Sequence, residues 1–200
     1  MPEAASLRRA SGDAGQGVLL AVVGPSGVGK DSLIAHARTV FAFDPSVLFV
    51  RRAVTRPAMA AAEDHDCLSP DEFAAALAAG RFAVSWQAHG LSYGIPAAVR
   101  AHLATGGVAV VNGSRAALAD IASVFGNVVT VHVTARPDIL AARLAGRERE
   151  TEADMARRLE RAAIALPECG RLVEIDNGGA FDAAAEAFVA VIRKAVDRAS

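Results

Sequence analysis

The stretch GPSGVGKDS, Gly24 to Ser32, holds the residue types best suited to chemistry. Gly24, Gly27 and Gly29 precede Lys30 at nearly the spacing of a phosphate-binding loop: Gly, four free positions, Gly, Lys, then Ser or Thr. Such a loop wraps phosphate closely with inward-turned backbone N–H groups, and side chains would block that approach. Pro25, Ser26 and Val28 occupy free positions, so the whole run is expected to line phosphates. Lys30 adds a mobile positive charge for the outer ones. The alternative is a tight turn with a surface lysine. Asp31 stands where the hydroxyl belongs. A carboxylate is a hard oxygen ligand, so Asp31 would meet Mg²⁺ directly or through water; after a small shift Ser32 would serve instead. A third reading makes Asp31 only a favourable acid in a helix's first turn.

Phosphoryl transfer builds charge on the transferred group, so several cations should converge on it. Three arginine sets are available: Arg51, Arg52 and Arg56 in VRRAVTRP; Arg143, Arg147 and Arg149 in RLAGRERE; and Arg157, Arg158 and Arg161 in MARRLERA. The last two sets flank a polar turn between helices, about residues 146–156, which suits a closing lid with Arg147 and Arg158. The remaining arginines of those two sets read as solvated helix faces.

Strands and helices must carry these groups in order. GVLLAVVG is an apolar, partly β-branched run and reads as a buried strand; KDSLIAHARTVF after it has helical apolar spacing. SVLFVRR, RFAVSW, GVAVVNG, NVVTVHVTA and RLVEIDNGG read as further strands. Helices are expected over SPDEFAAALAAG (starting at Ser69 or Asp71, stopping at Gly80), IPAAVRAHLATG with Pro96 in its first turn, SRAALADIASVFG, RPDILAARLAGR, TEADMARRLERAAIAL and the closing AFDAAAEAFVAVIRKAVDRA. The alternation predicts an α/β fold in three layers, a mostly parallel sheet with helices on both faces. Residues 1–16 read as a flexible leader and 17–200 as one domain, with residues 51–95 forming an acceptor-binding insertion.

The 200 residues carry a net charge of −1, against the basic excess of a general nucleic-acid binder. Cys67 and Cys169 make neither a metal motif nor a disulfide framework. No apolar stretch is long enough to span a bilayer, and the leader lacks the apolar core of a secretory signal, so a cytoplasmic location is the default expectation. Oligomeric state is left open: Phe and Val on the last helix suit either a core or a homo-oligomeric interface.

GPSGVGKDSL, VTRP, EDHDCLS, FAVSWQAHGLSYGIP, VVNGSR and RLAGRERE together resemble the guanylate-kinase-like branch of the P-loop kinases. More closely, over about residues 17–175, they resemble the ribose 1,5-bisphosphate phosphokinases, whose loop lysine is likewise followed by Asp. The resemblance implies a P-loop NTPase fold and ATP with Mg²⁺. It implies transfer of the γ-phosphoryl group to ribose 1,5-bisphosphate, giving 5-phosphoribosyl 1-diphosphate in phosphonate breakdown.

In guanylate kinases a threonine–arginine pair holds acceptor phosphate, matching Thr55 and Arg56; a second arginine three residues on falls at Met59. The acceptor tyrosine matches Tyr93 and the lid arginines match Arg147 and Arg158. The guanine-reading glutamate falls at Val84, the guanine-reading hydroxyl at Ile95, and acidic groups on the next strand at Val110 and Asn112. Donor side and lid are kept, while the base readers are gone. Arg52, Glu63, His65, Ser85 and His89 are further candidates for a sugar bisphosphate. A guanylate or other nucleoside monophosphate kinase is the alternative enzyme, and a non-catalytic scaffold module the alternative class.

Overall fold

The computed structural model describes residues 17–56, 65–88, 90–145, 166 and 170–199. The leader 1–16, the segment 146–156, the helix expected over 151–166 apart from Leu166, and the candidates Glu63, His89, Arg147 and Arg158 lie outside these residues.

Strand β1 (Val18–Val23) is buried along its whole length, as an apolar run without polar alternation requires of a central parallel strand. Its alternate side chains enter two different cores. Leu20 and Val22 meet Leu33, Ile34 and Ala37 of α1 (Lys30–Val40), together with a terminal helix described below; Leu19, Ala21 and Val23 meet helices of the opposite layer. The sheet around it contains β2 (Val47–Phe49), β7 (Val108–Asn112), β8 (Val128–Thr134) and β9 (Arg171–Asp176). All five strands run parallel in the order β2-β7-β1-β8-β9.

A smaller sheet, in the order β4-β3-β6-β5, is built from β3 (Arg52–Val54), β4 (His65–Cys67), β5 (Phe82–Ala88) and β6 (Leu91–Pro96). Helix α2 (Pro70–Ala78) packs on it. Ser69 caps α2 and accepts from the Glu72 amide, while the Glu72 carboxylate accepts from the Ser69 amide. Helices α3 (Val99–Ala104) and α4 (Leu118–Phe125) cover one face of the parallel sheet, and α1 and α6 (Phe181–Ala199) the other. Helix α5 (Pro137–Ala145) opens at its proline. The expected three-layer architecture is present, and no helix among the described residues is long and apolar enough to cross a membrane.

Two local expectations are corrected. SVLFVRR is two strands, because the Val50 amide still bonds Val110 O at 2.9 Å in the parallel sheet while Arg52 already belongs to the small one. The helix expected from Ile95 starts at Val99. Pro96 ends β6 opposite Phe82, at a strand terminus where its missing N–H costs little. Ile95 is fully buried as a strand residue (0% exposed).

Helix α6 places Ala184, Ala185, Phe188, Val189, Ile192 and Ala195 on one stripe against the sheet. Phe188 is fully buried (0% exposed), so Phe188→Ala is expected to cost about 3–5 kcal/mol. Thermal unfolding followed by circular dichroism should show a midpoint lowered on the order of 10 °C. A shift under about 2 °C would remove this helix from the core.

Candidate active site

The glycine loop turns at the carboxyl edge of the parallel sheet, between β1 and α1. Gly24 has φ +151°, and a Cβ there would lie 2.3 Å from Val133 O. Gly29 has φ +93°, and a Cβ there would lie 2.4 Å from Asn177 Nδ2. Larger residues at either position would force the loop off the sheet. No side chain caps α1, so its first N–H groups keep their donor capacity for an anion.

Lys30 folds back on its own loop and donates from Nζ to Gly24 O and Pro25 O, each at 3.0 Å. Burial lowers its ammonium to about 8; Asp31 acts upward, and the charges of Arg52 and Arg115 lower it further. Three cations thus converge near the loop. Arg115 lies in the 3₁₀ turn Arg115–Ala117 after β7, where burial lowers its own pKa. His132 on β8, paired in register with Val23, is also lowered by burial. Glu174 opposes that shift, while Arg115 and Lys30 add to it.

Asp31 accepts a 2.5 Å hydrogen bond from Asn112 Nδ2. Asn112 ends β7 and is paired with Val22, so the carboxylate is held above the ends of β1 and β7. Ser32 is exposed on α1. From the far side Asn177 props the loop. Its amide donates to Thr134 O at 2.8 Å and its Nδ2 to Val28 O at 2.7 Å, and the residue is 2% exposed. Sequence reasoning assigned no role to Asn177 or Arg115, and noted Asn112 only as a replaced acid. For Asn177 the only cue was the turn composition IDNGG.

The small sheet sorts the acceptor candidates by face. Tyr93 is paired with Trp86 across β5–β6 and with Val54 across β3–β6, and Arg52 is paired with His65 across β3–β4. Strand alternation puts Arg52, His65, Tyr93 and Trp86 on one face, with Val84 and Ile95 joining the core below. Arg52 lies 5.5 Å from the Tyr93 ring centre, and its charge reaches Lys30, so this face looks toward the loop. Ser85 pairs with Gly94 and lies on the other face. There Ser85, Thr55 and Ser92 border a hollow of about 400 Å³ against Phe73 and Leu77 of α2. Thr55 Oγ1 accepts from the Ser92 amide at 2.7 Å and ties β3 to β6. Arg51 makes an exposed ion pair with Asp66 at 2.9 Å, and Arg52 faces the cleft. Arg56 is half-buried just beyond β3.

The positions that read guanine in guanylate kinases are closed. Val84 is 6% exposed and Ile95 0%, and both are packed in the apolar core. The arrangement can hold a phosphate chain at the loop and a second phosphorylated group under Arg52 and Tyr93, and at Val84 and Ile95 it offers a purine no polar group.

No family profile matches the chain. Among solved structures, guanylate kinase from Anaplasma phagocytophilum superposes with a TM-score of 0.64 at 18% identity, covering 90% of this chain and 86% of that one, which shows the fold. Among curated proteins, ribose 1,5-bisphosphate phosphokinase PhnN of Agrobacterium fabrum is 44% identical over 176 residues, 88% of this chain and 96% of its own length. The protein of the same name from Ruegeria sp. strain TM1040 is 48% identical over 180 residues, 89% of this chain and 93% of its own. Identity at this level along nearly the full length of both relatives makes the chain a member of the ribose 1,5-bisphosphate phosphokinase family.

Proposed function

We propose that the chain transfers the γ-phosphoryl group of ATP to the 1-phosphate of ribose 1,5-bisphosphate, forming 5-phosphoribosyl 1-diphosphate and ADP in phosphonate degradation. The observation that carries the choice of acceptor is the burial of Val84 and Ile95 in the apolar core, where a purine would need polar partners. Family membership supports the same acceptor.

The residues around the loop fit a triphosphate and a divalent cation. Glycines at positive φ, an uncapped helix start and a lysine resting on carbonyls all lack an anion's charge. Lys30 leaves Gly24 O and Pro25 O for the outer phosphates. Asp31 is the hard oxygen donor for Mg²⁺, oriented by the Asn112 amide, with Ser32 as the neighbouring hydroxyl. When bound, Mg²⁺ neutralises the phosphate oxygens on which charge develops. Arg52 and Tyr93, with Arg56 and His65, serve the acceptor; Thr55, expected there from the guanylate kinase pattern, is turned with Ser85 to the hollow behind that face. Arg147 and Arg158 serve as closing charges on their match to the guanylate kinase lid arginines, and Glu63 and His89 are candidate sugar contacts from their side-chain chemistry. The acceptor oxygen is already ionised near neutral pH, so no general base is required. Alignment and positive charge do the work.

An ADP-release assay with ribose 1,5-bisphosphate, guanosine monophosphate and other phosphorylated acceptors tests the proposal. Ribose 1,5-bisphosphate should exceed guanosine monophosphate by about 100-fold or more in kcat/KM, since two unpaired polar contacts cost about 1–3 kcal/mol each. Faster turnover of guanosine monophosphate would make the chain a nucleotide kinase instead.

Lys30 gives a second prediction. Its ammonium is charged below about 8 and loses its proton above. Phosphate stabilises the charged form, so ATP binding takes up a proton on the alkaline side. Affinity for a non-hydrolysable ATP analogue, measured by calorimetry, should be flat below pH about 8 and then fall toward tenfold per pH unit. Lys30→Met should bind weakly with no such slope and should stay folded. A wild-type affinity unchanged to pH about 9.5 would remove Lys30 from the phosphate site.

A further inference from the structure

The chain has one tryptophan and one tyrosine, and the fold stacks them on each other. Trp86 and Tyr93 are direct cross-strand partners on β5 and β6, with ring centres 5.3 Å apart and planes 8° from parallel. Strand order sets β3 on the opposite side of β6 from β5, so Tyr93 is flanked by Trp86 on one side and by Arg52 on the other. The indole also packs against the core cluster that contains Val84 and Ile95. The ladder therefore runs from fixed core, through Trp86 and Tyr93, to a guanidinium whose charge reaches Lys30.

An arginine in a cleft has many rotamers and needs a platform to hold its fork in place for a phosphate. Tyr93 supplies the platform through its ring face. Tyr93 itself lies on a strand only six residues long with Gly94 beside it, so its ring angle needs a wall. Trp86 is that wall. We propose that Trp86 is a positioning residue for the acceptor, fixing Tyr93 and through it Arg52 at the angle that receives a sugar phosphate. The inference deepens the sugar-bisphosphate reading and rests on it.

The test combines steady-state kinetics with tryptophan emission, which in this chain reports Trp86 alone. Trp86→Leu should raise KM for ribose 1,5-bisphosphate about tenfold, with kcat and the KM for ATP changed less than about threefold. Trp86→Phe, which keeps an aromatic wall, should recover most of the loss. On a Tyr93→Leu background Trp86→Leu should add less than about twofold, because the wall then has nothing to hold. In the wild type, ribose 1,5-bisphosphate should change Trp86 emission saturably, and a non-hydrolysable ATP analogue alone should not. If the wild type turns over ribose 1,5-bisphosphate while Trp86→Leu keeps its KM, the positioning role is wrong and the activity stands. Additive losses in the double variant, or emission indifferent to the sugar, would also overturn it, the latter without any variant having to fold. If the wild type does not use ribose 1,5-bisphosphate at all, both readings fall together.

Discussion

A part-buried positive charge at the carboxyl edge of a parallel sheet is the constraint on which the rest depends. The Lys30 ammonium rests on two carbonyls of its own loop, among the charges of Arg52 and Arg115. Burying such a charge is unfavourable unless something neutralises it. A bound polyanion would do so, and on the proposed reading the surrounding backbone is shaped for one. Glycines bring the chain against Val133 O and Asn177 where any Cβ would collide. Asn177, just past β9, holds the loop and Asn112, at the end of β7, holds its acid, from opposite sides of β1. The site is preorganised by the sheet and kept electrostatically unsatisfied.

The acceptor side follows from a different economy. The small sheet shares its lower half with the core of the domain, through Val84 and Ile95, and leaves its upper half to Arg52, His65, Tyr93 and Trp86. Aliphatic residues beneath the cleft strengthen the core and at the same time withdraw the partners a purine needs. A small sugar bisphosphate has no base edge to be read there; its charge lies on its two phosphates, with hydroxyls between. On the proposed reading, packing and specificity are set by the same two side chains.

The parts of the molecule that local chemistry decides were legible in the sequence. The run VLLAVVG, the glycines before Lys30 and the amphipathic α1 state their roles within a few residues. Ser69 with Glu72 marks the start of α2. Set against the guanylate kinase pattern, Val84 and Ile95 read as lost base readers, and the structure buries both in the core. What depends on register was not legible. LSYGIP contains both Gly and Pro and looks unlike a strand, yet Gly94 is needed because the Phe82 ring lies 2.6 Å from where its Cβ would be. Ser85 and Tyr93 both looked like acceptor residues, but pairing puts them on opposite faces. A register irregularity between Phe82 and Val84 adds to the difficulty, since counting by twos along β5 does not survive it. Asn177 and Arg115 come from turns far away in sequence, and only the assembled sheet brings them to the loop.

The most direct measurement of the central claim is a structure of the chain with a non-hydrolysable ATP analogue, Mg²⁺ and ribose 1,5-bisphosphate. The account predicts Lys30 Nζ released from Gly24 O and Pro25 O onto the phosphate tail, with the sugar's 1-phosphate facing it from beneath Arg52 and Tyr93. A lysine still resting on its carbonyls beside a bound nucleotide, or a sugar seated in the hollow under α2, would contradict it.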